Sequence, residues 1–248
     1  MKTIILSLLV LISSQGYAQK HVERKIHSFT KISVQGGFIA EYIVADRFSV
    51  NFEETKSIDA KNIITEVVND ELKIYPKAFN SNFLTAKKLP TLKIYGPHLK
   101  GINVGSSSKL KINNKITEKS IVVNISSSGT LNAALQANTI QVASSSSSNG
   151  NLQLNTQNLK VKSSSSAELL LSGVAKNFEG DASSSATINA SKLRTDNAEV
   201  GASSSASVYI WTTDRLIASA SSSAAIYYLG EPRQKDVKKS SSGTVSKK

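Results

Sequence analysis

The sequence predicts an all-β protein: a right-handed parallel β-helix (β-solenoid) with about eight rungs of 18–20 residues, preceded by a β-rich N-terminal capping region. Three observations predict it. A serine run returns eight times, at Ser106–Ser108, Ser126–Ser128, Ser144–Ser148, Ser163–Ser166, Ser183–Ser185, Ser203–Ser205, Ser221–Ser223 and Ser240–Ser242, and a period near 20 residues signals stacked repeats. Apolar and polar residues alternate on both sides of each run, the signature of strands with opposite-facing side chains. Hydrophobic residues make up 40% of the 248-residue chain and aromatic ones only 6%, so Ala and Ser fill a narrow core.

Before the repeats, Lys2, the apolar stretch Thr3–Ile12 and the small residues ending at Ala18 form a secretory signal peptide over residues 1–18, too short and wrongly flanked for a membrane span. Nothing later is long and apolar enough to cross a membrane as a helix. The mature chain is therefore expected to be exported, to the periplasm, the outer-membrane surface or the medium. It contains no Cys, which removes disulfides, thiolate metal sites and a cysteine nucleophile from consideration.

Residues 19–100 form the β-rich leader. Phe29–Val34 and Phe38–Val44 flank Gly36-Gly37, which marks a hairpin or a tight bend. Phe48–Phe52 is a further strand, and Ser57–Asn62 fits one helical turn. Ile63–Val68 and Leu72–Tyr75 flank Asn69-Asp70, a second hairpin signal. Lys77–Pro90 reads as a loop or irregular crossing, and Leu92–Tyr95 as a strand closed by Gly96-Pro97.

Residues 101–248 form the serine-repeat solenoid with a basic tail. In the second copy Ile121, Val123, Ile125, Ser127, Gly129, Leu131 and Ala133 share one parity; in the sixth, Ala198, Val200, Ala202, Ser204, Ala206, Val208 and Ile210 do. By parity the middle serine turns into the core, where bulk would clash, and the outer two face water. The first copy fits when shifted, with Ser106 and Ser108 inward and Gly105 replacing the first serine. In the third, Ser144, Ser146 and Ser148 point inward around a wider corner. Stacked rungs at ~4.8 Å make an axis of roughly 34 Å. Parallel crossovers are almost always right-handed, and no six-residue period argues for the left-handed alternative. Inward serines need backbone partners at the bend, because serines one rung apart lie too far from each other to bond. The leader covers the first rung, and Lys238, Lys239, Lys247 and Lys248 discourage edge-to-edge pairing at the far end.

Formal net charge is +12, distributed as 17 Lys/Arg against 10 Asp/Glu over residues 20–120, 8 against 7 over 121–235, and 4 against 1 over 236–248. The repeats are near neutral, which disfavours nucleic acid as a partner; the expected partner is a surface glycan or another envelope polymer. His21, His27 and His98 lack metal-ligand spacing, and Glu53-Glu54 point to opposite faces of a strand. Glu168, Glu179, Asp181, Asp196 and Glu199 are scattered singly, and no nucleophile elbow or calcium repeat occurs. The reading is therefore not an enzyme, with no catalytic, cofactor or metal residues and no cofactor. Tyr209, Trp211, Tyr227 and Tyr228 either cover the end of the core or form a sugar-stacking patch.

Several segments in order carry a resemblance: Val22-Glu23-Arg24, Phe29–Val34 with Gly37, Glu71–Ile74, Leu92–Tyr95, and Leu99–Val104, which contains the tripeptide Gly101-Ile102-Asn103. With the small-residue repeats that follow, the chain from Val22 to Ile226 resembles the head GIN domain family of auto-transporter adhesins. The resemblance implies an exported envelope protein of β-solenoid fold and brings no catalytic residues. The expected function is a non-enzymatic adhesin-like or scaffolding protein of the cell envelope. The alternatives are a polysaccharide-binding or polysaccharide-processing protein, and ice or mineral binding by the exposed serine rows.

Overall fold

The computed structural model describes residues 21–54, 58–78 and 89–248. The expected signal peptide lies outside these residues, as do Ser57 and most of the expected crossing between Lys77 and Pro90. The fold is all-β, a β-solenoid of about eight turns, with its strands joined in one continuous hydrogen-bonded array.

Each rung in the repeat region is one long, bent strand running from one serine turn to the next, except that the first is split into β9 (Lys109–Ile112) and β10 (Ile116–Ile125). The long strands are β10, β11 (Thr130–Ser144), β12 (Asn149–Ser163), β13 (Glu168–Ala182), β14 (Thr187–Ala202) and β15 (Ser207–Ala220). Each pairs in parallel with its successor, one rung on. The rung after β15 splits into β16 (Ala225–Leu229) and β17 (Gln234–Lys239), both stacked on β15, and β18 (Thr244–Lys247) begins a further rung on β16.

Burial divides a rung into two arms. In β11 the residues Leu131, Ala133, Leu135 and Ala137 are buried, then Asn138 and Thr139 both face outward, and burial resumes at Ile140, Val142 and Ser144. The doublet recurs at Gln157-Asn158 and Lys176-Asn177, so the chain turns a second corner there and the inward parity switches. A long arm and a short arm therefore enclose the core, with the serine turn at one end and this polar corner at the other. Threonines serve the corner from inside. Thr156 Oγ1 donates to the Asn138 and Asn158 carbonyls at 3.1 Å, and Thr212 Oγ1 to the Asp196 carbonyl at 2.8 Å. Buried carbonyls freed by the bend are thereby satisfied.

The serine turns overturn the expectation for the middle serine. Ser127 and Ser128 have φ of 47° and 59°, and the Gly129 N–H donates to the Ser126 carbonyl at 2.8 Å. Two consecutive left-handed residues closed by such a bond form a type I′ turn. Both point to solvent, while Ile125 before the turn and Gly129 after it are buried. Ile125 and Gly129 are four positions apart, so parity survives the turn although its middle faces outward. Ser106, Ser146, Ser165, Ser204 and Ser222 are likewise exposed and left-handed. The third copy is no wider than the rest: Ser145–Ser148 make the same four-residue turn, closed by Ser148 N–H to the Ser145 carbonyl at 3.3 Å.

The inward serines lie at the flanks of the turn. Ser108, Ser144, Ser148 and Ser163 are buried, in columns that Ala182, Ala186, Ala202, Ala206, Ala220 and Ala224 continue. Small residues are needed there because the two arms converge. Where the larger Ile125 enters, its neighbours shrink: a Cβ on Gly150 would sit 2.9 Å from Ile125 Cδ1. Ser148 Oγ donates to the Ile125 carbonyl at 3.0 Å, as a buried hydroxyl requires.

The leader contributes rungs in a different order from the chain. β2 (Lys31–Val34) and β3 (Ile39–Val44) do not pair with each other, so Gly36-Gly37, with φ of 94° and 82°, is a rung bend and not a hairpin. β2 lies between β6 (Glu71–Pro76) and β8 (Gly101–Val104), parallel to both. β3 lies between β7 (Thr91–Gly96) and β9 (Lys109–Ile112) in the same way. β5 (Ile63–Val68) forms the expected hairpin with β6 through left-handed Asn69 and Asp70. β4 (Ser49–Glu53) runs antiparallel to β7, and β1 (His21–Lys25) antiparallel to β4. These antiparallel strands take up the parallel edge at this end. A 3-10 turn at Ala60–Asn62 replaces the longer expected helical turn. Arg24 ties the outer strands together, donating from Nη1 to the Ile63 carbonyl at 2.6 Å and from Nη2 to the Ala60 carbonyl at 2.7 Å.

Candidate functional site

The short arms stack into one parallel sheet that runs from β6 and β2 through β8 to β17. Its outer surface is hollowed. A hollow of about 580 Å³ spans five rungs between Thr139 and Ile217. Further hollows, of about 390 Å³ beside Asn124, Lys162 and Asp181 and about 420 Å³ beside Ser33, Lys73 and Asn103, continue along the same sheet. The main hollow is a trough running along the solenoid axis, and the 390 Å³ hollow lies beside it on β11 to β13, nearer the serine turns.

Polar ladders line the trough. Asn158, Asn177 and Asn197 occupy one register column, at the polar corner itself. Asn177 Nδ2 donates to Asn158 Oδ1 at 2.9 Å, and Asn197 Nδ2 to Asn177 Oδ1 at 3.0 Å. The ~4.8 Å rung spacing that is too long for serine suits carboxamides, whose longer side chains bridge it. Nearer the leader, Asn124 Nδ2 donates to Asn103 Oδ1 at 2.8 Å.

A second column carries Gln141, Lys160, Glu179, Glu199 and Ile217, with Arg215 beside it at the far end of the main hollow. Residues isolated in the sequence meet here: Lys160 and Glu179 are register neighbours, as are Glu179 and Glu199. Lys160 Nζ donates to Glu179, and this hydrogen bond raises the Lys160 pKa above its ordinary value. The acids read as scattered thus share one face, with Asp181 two residues along from Glu179. The missed signal was the spacing of 19 and 20 residues from Lys160 to Glu179 to Glu199, which matches the serine period. Phe178 lies beneath, 3% exposed, so the hollow offers no aromatic surface.

Of the late aromatic residues, one packs on the core and the others stand on an outer face. Tyr228 is half-buried against the end of the core. Tyr209 and Tyr227 stand on the outer face of the long arms, stacked on each other with centroids 5.0 Å apart, and Lys248 Nζ lies 4.8 Å from the Tyr209 ring centre. The Arg194 guanidinium covers Trp211 at 4.4 Å. Ring faces engaged in this way form a sheet ladder and offer little free platform to a sugar. His98 serves structure, its Nδ1 accepting from the Thr117 N–H at 3.1 Å. Among the described residues no cluster of His, Asp or Glu could hold a metal ion, and no helix is long and apolar enough to cross a membrane.

The fold and its trough define a class: a parallel β-solenoid with stacked type I′ turns and one grooved polar sheet. The family model for the putative auto-transporter adhesin, head GIN domain, matches residues 28–153 and again residues 136–232. The chain belongs to that family. Solved structures share the fold. A putative lipid binding protein from Parabacteroides distasonis has 24% identity and a TM-score of 0.80, covering 92% of this chain and 96% of its own. A putative adhesin from Parabacteroides merdae has 17% identity and a TM-score of 0.82, covering 92% and 95%. One from Bacteroides fragilis has 19% identity and a TM-score of 0.67, covering 94% and 98%. No curated protein matches the chain.

Proposed function

We propose that this protein is a non-enzymatic, exported adhesin-like protein of the cell envelope that holds a surface polymer along its solenoid. The carrying observation is the trough: a chain of an adhesin family presents a polar, laddered groove over successive rungs of one rigid sheet. A sheet held by continuous inter-rung hydrogen bonds keeps its side chains at fixed spacing, so contacts can be made with little ordering cost. The test is binding of purified residues 19–248 to a glycan array and to whole cells, with fractionation to locate the native protein. Binding to an envelope polymer and recovery in an envelope or secreted fraction are expected. Absence of binding to every polymer and cell surface would overturn the reading.

A further inference from the structure

We infer that the main hollow, between Thr139 and Ile217, is a binding site for a neutral linear glycan lying parallel to the solenoid axis; the inference rests on the adhesin reading and specifies its ligand. Three observations converge on this ligand.

The first is shape. The hollow's volume of about 580 Å³ falls in the range of small-ligand sites, ~300–1,000 Å³. Five rungs at ~4.8 Å make it roughly 19 Å long, elongated along the stack. An oligosaccharide of a few residues fits such a groove, and a compact metabolite would leave most of it empty.

The second is hydrogen-bonding chemistry. The ladder Asn158–Asn177–Asn197 uses one N–H of each donating amide and one acceptor position of each accepting carbonyl. A carboxamide has two N–H donors and two acceptor positions, so the row still presents both kinds of group at rung spacing. Sugar hydroxyls, which donate and accept, match a row of that composition. Charged groups at the rim give hydroxyls stronger hydrogen bonds than neutral ones do.

The third is charge. Lys160 and Arg215 stand in the hollow against Glu179 and Glu199, two cations and two carboxylates. Lys160 is already engaged by Glu179, whereas Glu199 has no ion pair among the described residues. Such a balance gives no net attraction to a polyanion, and two adjacent carboxylates repel one. The leader's positive excess lies on the rungs before this hollow, and the tail strand β17 that stacks on β15 at its far end sets Asp236 beside Ile217 and Lys238 beside Ser219, again one charge of each sign. The neutral class of glycan is therefore selected over uronic-acid polymers.

The experiment titrates the full mature chain with cellohexaose, maltohexaose and chitohexaose, and with polygalacturonate as the anionic comparison. The variants are Asn177→Ala and Glu199→Ala in the hollow and Gln153→Ala on the outer face of the long arm. All three side chains are exposed, and circular dichroism confirms that each variant is folded. At least one neutral oligosaccharide should bind, weakened about tenfold by either hollow variant and unchanged by Gln153→Ala. Neutral binding that survives both hollow variants overturns the site while leaving the adhesin reading intact. Binding of polygalacturonate alone overturns the ligand class. Binding to no polymer or cell of any kind is the outcome that removes the adhesin reading itself.

Discussion

The Ser128 N–H donates to the Ser146 carbonyl at 2.9 Å, so one serine turn is bonded directly to the next. The pattern repeats from Ser147 to Ser165, Ser166 to Ser184 and Ser185 to Ser204. The corner is therefore part of the hydrogen-bonded stack, and each left-handed serine pair sets the height of its neighbour. Left-handed backbone costs a non-glycine residue roughly 1–2 kcal/mol, and type I′ turns usually carry Asn or Gly. The leader's own tight turns follow that preference, with Gly36-Gly37 and Asn69-Asp70, whereas the stacked turns use serine at both left-handed positions.

Ser163 Oγ is buried without a hydrogen-bond partner among the described residues, at a position that the next rungs fill with Ala182 and Ala202. A lone buried hydroxyl costs about 1–3 kcal/mol. Ser163→Ala is expected to raise the unfolding free energy by about 1 kcal/mol, read from urea denaturation. A loss of stability would show that the hydroxyl is satisfied in solution.

Gly173 interrupts the long arm of β13 with φ of 106°, and a Cβ there would lie 2.1 Å from the Leu154 carbonyl oxygen. The obstacle is backbone, so it cannot rotate away. Gly173→Ala is expected to destabilise the protein by at least about 2 kcal/mol. Thermal unfolding will show this as a lowered midpoint; an unchanged midpoint would contradict this left-handed backbone and its close approach to Leu154.

Tyr42 is wholly buried and donates its hydroxyl to the Pro97 carbonyl at 2.6 Å. Burial raises its pKa above the ordinary value near 10. Because the folded-state pKa is the higher one, its stabilising effect is complete below about pH 10 and is lost as pH rises towards the folded value. Tyr42→Phe should cost about 1 kcal/mol at pH 8 through the lost hydrogen bond. The gap from the parent should close as pH passes 10, measured by denaturation across pH 8–11. A gap that stays constant would place the phenol in water.

Much of the fold was legible because a solenoid writes its period into the chain. Serine spacing set the rung length, alternation marked the arms, and Asn69-Asp70 marked its hairpin. The direction of the middle serine was not legible, since Ile125 and Gly129 keep the same parity whether the turn between them points inward or outward. Only backbone handedness decides it. The second corner was written as outward doublets such as Gln157-Asn158, which look like ordinary surface residues until burial is known. The insertion of β2 and β3 between later strands rests on pairings across 40 or more residues, which no local pattern reports. The candidate site was hidden for the same reason: Lys160, Glu179 and Glu199 are solitary in the chain and adjacent on the sheet.

The central structural claim is that two consecutive serines of each run form a left-handed, outward turn, and paired substitutions in one turn test it directly. Ser165 has φ of 53°, whereas Ser164, the first residue of the same turn, is not left-handed. A β-branched residue is strained in left-handed backbone and comfortable in extended backbone. Urea denaturation should therefore find Ser165→Val destabilised by roughly 1–3 kcal/mol and Ser164→Val within about 0.5 kcal/mol of the parent. Equal tolerance at both positions, or a stabilised Ser165→Val as expected of an inward-facing residue, would contradict the account.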